Sequence, residues 1–276
     1  MQERSDAARS TTSHRLAPGN LHDTTMGGEA VRSRTWLLLL ASTMLLLVAY
    51  SGVTSGYFSD VETSTDNILR VKNAPLFGAA DSFAVLAGST VTNADNAGGT
   101  VVTGDLGVSP GTSVTGFPPG EVIGTIYIGS DSLAAQAQVD LTTAYDDAAL
   151  RTPSTTLTVL GGLELGPGVY HGETLALTGT LTLKGDGNAV WIFQTEETLV
   201  TADYSHVVLS GGARAANVYW VVKSSATLGA NSTFKGNIMA LDSITLTAGA
   251  VVEGRALARN AAVTLDSNLI TKPAPA

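Results

Sequence analysis

The chain has 276 residues, 44% of them hydrophobic and 30 of them glycine, a composition typical of one β-rich globular domain rather than of a disordered chain. It contains no cysteine, which excludes disulfide bonds and thiolate metal sites. The net charge is −9 and no cluster of lysine or arginine marks the domain, which argues against a nucleic acid as partner.

The N-terminal part of the sequence is predicted to be an export region. Residues 1–35 are polar and are predicted to be disordered or extended. Residues 36–58 begin with an apolar run of 15 residues, which is short for a membrane-spanning helix but typical of a secretory signal. Two interpretations stay open: a cleaved signal, for which translation from Met26 gives a short basic lead, or an uncleaved anchor, the only membrane contact expected. Either one places the rest of the chain outside the cell, secreted or on the cell surface.

A linker is predicted at residues 59–76, followed by one domain at 77–272 and a short tail at 273–276. Glycines and prolines between residues 107 and 120 place turns in the first part of the domain. We expect this part to form a cap over one end of the fold, where it would shield a strand edge.

One long helix is predicted from Asp131 to Arg151. Ser130 and Asp131 are good N-caps, and Thr152 before Pro153 is a typical helix end. Apolar residues recur at helical spacing, namely Leu133, Ala137, Leu141, Ala144, Tyr145 and Ala148.

Short strands rich in valine, isoleucine and threonine fill residues 174–271, and a Thr-Leu pair recurs along them at steps of 18, 29, 18 and 19 residues. The threonines of these pairs are Thr180, Thr198, Thr227, Thr245 and Thr264. A repeat of about 18 residues predicts a solenoid in which three strands and three corners make one coil. The longer step is expected to carry an extra loop within residues 210–217. The result is a parallel β-helix of triangular section.

Alternation along these strands predicts which side chains face outward, because successive side chains point to opposite sides. One threonine column is expected on the outside, and the candidate face consists of Thr178, Thr180, Thr182, Thr198, Ser225, Thr227, Ser243, Thr245, Thr247 and Thr264. The strands at 190–193, 218–222 and 237–241 are apolar on both sides, so both sides must be covered. We expect the helix to cover their outer side.

Eight strings, in order along residues 77–271, are similar to one known family: FAVLAGSTVTN (83–93), TGDLGVSPGTSVTGFPPG (103–120), AQAQVDLTTAYDDAALRTP (135–153), GGLELGPGVYHG (161–172), AVWIFQ (189–194), NVYWVV (217–222), STFKGNIMA (232–240) and GRALARNAAVTLDSN (254–268). They resemble the ice-binding-like family known as DUF3494. The resemblance implies a mainly β fold, a discontinuous right-handed parallel β-helix with one long α-helix packed alongside. It also implies adsorption to ice.

A shorter string, GYFSDVETSTDN (56–67), resembles the segment at the export signal of camelysin and TasA-type proteins. That resemblance implies a secreted or cell-surface protein of a bacterium or archaeon.

An enzyme is not predicted, although other parallel β-helices house polysaccharide lyases and hydrolases. Such enzymes need carboxylates held together on one face, and here the acidic residues are scattered, with Asp140, Asp146 and Asp147 on the helix. His171 and His206 have no partner at metal-ligand spacing. We therefore expect no catalytic residue, no metal and no cofactor.

A threonine array suits adsorption to ice. Parallel strands repeat every 4.7–4.9 Å and alternate residues lie about 6.6 Å apart, near the oxygen spacings of ice. The β-branched side chain is stiff at χ1, so the array is ordered before contact. Threonine is also simply a favourable exposed strand residue. Glu196, Val200 and Asp266 are expected to interrupt the array, and TADY (201–204) and TAGA (247–250) depart from the T-A/G-X-T/N pattern that the resemblance implies.

The predicted function is adsorption to ice by a secreted or cell-surface monomer, which inhibits ice growth or recrystallisation. The alternative is a cell-surface adhesion or biofilm-matrix module without ice activity, with a cell-surface polysaccharide or another copy as partner. Inhibition of ice recrystallisation by the purified domain separates the two.

We predict that export removes the apolar run at 36–50. Mass spectrometry of the mature protein should find an N-terminus that lies after residue 50. An intact run on a surface-bound protein would support the anchor, and full-length protein in the cytoplasm would contradict both.

Overall fold

The structure is a computed structural model that describes residues 74–94 and 99–274. The predicted N-terminal region, the signal or anchor and nearly all of the linker lie outside the described residues. The described chain contains 22 strands, one α-helix and two short 3-10 helices, Gly78–Ser82 and Ala215–Asn217.

The strands pair in parallel and stack as coils with three faces. The first, which we call the threonine face, is a separate sheet of seven strands. In chain order these are β2 (Thr90–Asn93), β5 (Ser113–Thr115), β11 (Leu175–Leu177), β14 (Leu199–Thr201), β17 (Ala226–Leu228), β19 (Ile244–Leu246) and β21 (Val263–Leu265).

The other two faces belong to one larger sheet, because β18 (Thr233–Ala240) and β20 (Val251–Ala258) run through the corner between them. The helix-covered face contains their second halves with β1 (Phe83–Ala87), β4 (Asp105–Val108), β7 (Ile126–Ile128), β8 (Thr155–Thr156), β10 (Gly168–Gly172), β13 (Trp191–Thr195) and β16 (Val218–Val222). The third face contains their first halves with β3 (Val101–Thr103), β6 (Glu121–Ile123), β9 (Glu164–Leu165), β12 (Thr180–Lys184), β15 (His206–Ser210) and β22 (Leu269–Thr271).

The corner after the threonine face bends sharply in every coil of the C-terminal part. It places one residue with positive φ in five successive coils: Gly179 (80°), Tyr204 (57°), Asn231 (54°), Gly249 (74°) and Ser267 (52°). Left-handed backbone favours glycine and asparagine, so a tyrosine and a serine there are held by the surrounding ladder. This repeated bend separates the threonine face from the third face.

The coils do not follow the chain from one end to the other. Strands β8 to β22 wind in order, and β1, β2 and β3 then stack on β20, β21 and β22. Strands β4 to β7 continue the stack in the same sense. The first part of the domain thus lies at one end, as expected of a cap, but it consists of further coils that extend all three faces.

Helix α1 (Leu133–Ala149) links β7 at one end of the stack to β8 at the other. Its 17 residues span about 25 Å, roughly five of the eight strand spacings between β7 and β8. The amide of Gln194, on β13, donates hydrogen bonds to the carbonyls of Ala148 (2.7 Å) and Arg151 (2.8 Å). The sheet itself therefore satisfies carbonyl groups at the helix C-terminus that have no partner within the helix.

The helix packs on the doubly apolar strands, as predicted. Its buried side is mostly alanine, which allows close approach, with Leu141 and Tyr145 set between them. They contact the outward side chains of the sheet, among them Ile192, Tyr219 and Met239. The prediction was wrong at Leu133, which is 41% exposed, because the adjacent Ala134 is the residue that faces the sheet. Burial raises the pKa of Tyr145 to about 12, so its phenol stays neutral.

Trp220 belongs to a different core, inside the coils. Its ring stacks on Phe193 with centroids 4.1 Å apart and contacts Phe234 at 4.9 Å. Its indole NH donates to the carbonyl of Lys235 at 3.0 Å. Substitution of Trp220 therefore tests the interior of the β-helix and does not report on the helix contact.

Two coils are longer than the predicted period. The inward residues Leu175, Leu199 and Ala226 are in register although they lie 24 and 27 residues apart, whereas Ala226 and Ile244 are 18 apart. The extra residues lie at one corner, 185–190 and 211–217. The second insert was predicted and the first was not. The amide of Asn217 donates to the Gly187 carbonyl at 3.0 Å and ties the inserts together.

We predict that Leu141→Ala lowers the free energy of unfolding by roughly 2–5 kcal/mol, because a fully buried side chain leaves a cavity under the helix. The matched control is Val139→Ala on the exposed side of the same helix, which should change it by no more than about 0.5 kcal/mol. Urea unfolding followed by circular dichroism measures both. Equal effects would show that packing on the sheet does not hold the helix.

Candidate functional site

A column of threonines crosses five adjacent strands of the threonine face. Pairing places Thr227, Thr245, Thr264, Thr92 and Thr115 opposite one another in that order. We call these five residues the central column. The sequence prediction included three of them and missed Thr92 and Thr115, which come from the part before the helix. Their strings TVTN and SVT show the same alternation as the repeats, the signal that could have revealed them.

The other predicted residues lie elsewhere. Ser225 and Ser243 form part of a column on one side of the central column, and Thr198 lies with them because Leu199 pairs with Ala226. Thr178 and Thr247 lie in the column on the opposite side.

The threonine column that the Thr-Leu pairs predicted is therefore wrong at two positions. Thr198 lies one column away from the central column, where Val200 takes the place that the prediction gave it. A shift of two residues along a strand keeps the same residues inward and outward, so the sequence pattern could not reveal it. Thr180 and Thr182 lie on the third face, where they pair with His206 and Val208. Gly179 turns the chain between two strands that alternate in the same way, so the sequence did not reveal the change of face.

The side chains of the central column point outward, because they alternate with inward residues along their strands. Among the described residues, none of these five hydroxyl groups forms a hydrogen bond to the protein. Thr247 differs, because its hydroxyl donates to the Leu228 carbonyl at 2.7 Å. The central column therefore presents hydroxyl and methyl groups to the outside, whereas Thr247 uses its hydroxyl to join two coils.

The inner side of the same strands holds the array rigid. The residues that alternate with the threonines, such as Ala226, Ile244 and Val263, are fully buried in the core of the coils. With seven strands and three outward columns, the face is about 29 Å long and about 13 Å wide. Close packing behind a continuous ladder leaves this surface little freedom to change shape.

The column ends in apolar residues on one side. Val200 pairs with Thr227 and Ala176 pairs with Val200, so the last two strands carry no hydroxyl in this line. Asp266 lies two residues after Thr264 and places one carboxylate in a side column. Both departures were expected from the sequence.

Glu196 was also expected to interrupt the array, but it lies at the corner outside the columns. Its carboxylate bonds to the ammonium of Lys223 and, at 3.1 Å, to the ring of His171. These two hydrogen bonds lower the pKa of Glu196, that to Lys223 most, and keep it charged. The charge is thus matched at the edge and leaves the threonines unaffected.

Within residues 74–94 and 99–274, no group of three or more histidine, aspartate or glutamate side chains is arranged to hold a metal ion. No helix in the described part of the chain has the length and hydrophobicity needed to cross a membrane.

A sequence profile of the Ice-binding-like family matches residues 85–271. The chain belongs to this family. An ice-binding protein of Nostoc sp. (strain HG1) is 50% identical over 220 residues, which cover 78% of either chain. An ice-binding protein of Flavobacterium frigoris (strain PS1) is 34% identical over 215 residues, 71% of this chain and 75% of the relative.

Solved structures of the ice-binding family share the architecture. An ice binding protein from an Antarctic biological consortium superposes with a TM-score of 0.72 at 47% identity, covering 77% of this chain and 97% of the other. An ice-binding protein of the Antarctic ascomycete Antarctomyces psychrotrophicus gives 0.68 at 41% identity, covering 72% and 98%. The predicted fold, a parallel β-helix with one helix alongside, is confirmed.

Proposed function

We propose that this protein adsorbs to ice through the threonine face and thereby inhibits ice growth or recrystallisation. The observation that supports the proposal most is the central column, five threonines in register with outward hydroxyls, in a chain whose relatives are ice-binding proteins. The same relatives offer no support for the adhesion alternative.

The geometry suits an ordered solid. Hydroxyls spaced at 4.7–4.9 Å along the column can join a layer of ordered water, and the methyl groups beside them favour release of liquid water. Because β-branched side chains on a rigid sheet have few conformations to lose, contact costs little entropy. Many weak contacts of this kind add up only if the whole face is flat.

The other two faces suit ice less well. The helix covers one of them. The third face carries cross-strand ion pairs, Lys184 with Glu164 at 3.1 Å and Lys235 with Glu253. Charged groups are strongly hydrated and project beyond the sheet, so that face neither matches a lattice nor gives up its water easily.

The chain would meet ice outside the cell, secreted or at the cell surface, and would act as a monomer without a cofactor. A single flat face of this area needs no second copy to be complete. The charged side chains of the ion pairs on the third face would stay hydrated, so that face would remain in contact with liquid water while the threonine face contacts ice.

We predict that Thr245→Tyr at the centre of the column abolishes ice shaping and recrystallisation inhibition, because one tall side chain lifts a rigid face off the lattice. Its stability should change by no more than about 0.5 kcal/mol, as for other outward positions. The matched control is Thr182→Tyr, the same substitution on a strand of the third face, which should leave ice activity unchanged.

Recrystallisation assays at equal concentrations and thermal melts measure both variants. If both variants lose activity, or neither does, the threonine face is not the contact surface. An inactive parent would overturn the proposed function itself.

We predict that Val200→Thr strengthens adsorption, since Val200 is 43% exposed, pairs with Thr227 and would extend the column by one strand. Lower concentrations should then give the same inhibition of recrystallisation. Val208→Thr on the third face, with Val208 42% exposed, is the control for a general effect of added threonine. A gain in the control alone would contradict the assignment of the face.

A further inference from the structure

A chain of buried hydrogen bonds runs behind the edge of the threonine face, across the strands. The amide nitrogen of Asn268 donates to the carbonyls of Thr247 (2.9 Å) and Ala250 (3.2 Å), and its side-chain oxygen accepts the Asp266 backbone NH at 2.7 Å. The Asn268 backbone NH donates to the Thr100 hydroxyl at 3.2 Å. Asn268 and Thr100 are fully buried.

The chain continues into the N-terminal coils. The Thr100 hydroxyl donates to the side-chain oxygen of Asn93 at 2.7 Å, and the Asn93 amide donates to the Gly116 carbonyl at 2.9 Å. Gly116 has a φ of 78°, and a Cβ there would lie 2.2 Å from the Asn93 carbonyl oxygen, so this last step requires glycine. We call Asn268, Thr100 and Asn93 the corner chain.

Four residues in the hydrogen bonds of the corner chain lie next to the central column. Thr247 follows Thr245 by two residues, and Asp266 follows Thr264 by two. Asn93 directly follows Thr92, and Gly116 directly follows Thr115. Four of the five rows of the column are therefore connected through three buried side chains.

The corner chain also bridges the one place where neighbouring strands of the threonine face are not in consecutive coils of the chain. Thr264 and Thr92 pair across β21 and β2, which are far apart in sequence. Winding of the chain cannot set their register, because no short connection joins them. Besides the ladder itself, the Thr100 hydroxyl is the group that connects Asn268 on one side of this junction to Asn93 on the other.

We propose that Asn268, Thr100 and Asn93 are positioning residues of the ice-contacting face. They hold the C-terminal threonines and the N-terminal threonines in one flat array. The inference rests on the proposed function of that face. None of the three touches ice, since all are buried, and their effect is on the spacing between Thr264 and Thr92.

Thr100→Val tests the inference, because valine keeps the volume and removes the hydroxyl. Thr195→Val is the matched control. Thr195 is similarly buried, and its hydroxyl donates to the Glu173 carbonyl (2.7 Å) and accepts the Glu197 NH (3.2 Å). It lies in the coil that carries Val200, at the apolar end of the column. Thr100→Ser keeps the hydroxyl and should retain the recrystallisation inhibition that Thr100→Val loses.

Amide hydrogen exchange by NMR gives a readout that does not involve ice. In Thr100→Val, the backbone amides of Ala94, Val101 and Asn268 at the junction should exchange about tenfold faster, as expected for loss of a buried hydrogen bond. Thr195→Val should leave these amides unchanged and lower the melting temperature by a similar amount. Recrystallisation inhibition just below the melting point of the solution should be lost only in Thr100→Val and return in Thr100→Ser.

The outcomes separate the two proposals. If the parent is active and Thr100→Val is as active as Thr195→Val, the inference is overturned and the proposed function stands. The same holds if the parent is active and Thr100→Ser does not restore activity. An inactive parent overturns both. If Thr100→Val does not fold, amide hydrogen exchange in the parent protein tests the inference instead. The Asn268 amide should then exchange only through global unfolding, and exchange through local opening would overturn the inference.

Discussion

The parallel ladder between the first three strands and the last three supports the rest of this structure. Strands β1, β2 and β3 pair with β20, β21 and β22, so the start of the described chain is inserted after its end in the stack. The chain must then return to the opposite end before it can wind the remaining coils. Helix α1 provides most of that return path, since it spans about five of the eight strand spacings between β7 and β8.

This arrangement gives each face a different environment. The helix buries one face, so its strands are apolar on both sides, with Trp220 inside and Tyr219 outside. The third face is exposed and carries matched charges. The threonine face is exposed but nearly free of charge, and its backbone hydrogen bonds lie within a single sheet. Because the helix covers one face and the charges lie on another, the threonine face is the weakly charged surface of the coils that stays exposed.

Corners maintain that flatness. Residues with positive φ at the same point of each coil make the turn sharp, so the threonines stop at one edge. Buried polar side chains at this corner, such as Asn268 and Thr100, satisfy carbonyl and amide groups that the turn removes from the ladder. Buried hydrogen-bonding groups are costly when unpaired, so the paired groups of Asn268 and Thr100 favour one register.

The sequence alone determined the basic period of the coils, the helix and most of its buried side, the inward and outward alternation and the resemblance to an ice-binding family. Each of these depends on local spacing, with apolar residues two or about 3.6 positions apart. Tertiary structure alone decided that Thr198 lies one column aside, that Thr180 lies on another face, and that Thr92 and Thr115 complete the central column. The physical reason is that period-two alternation looks the same after a shift of two residues, and pairing between distant strands depends on contacts that no local pattern contains.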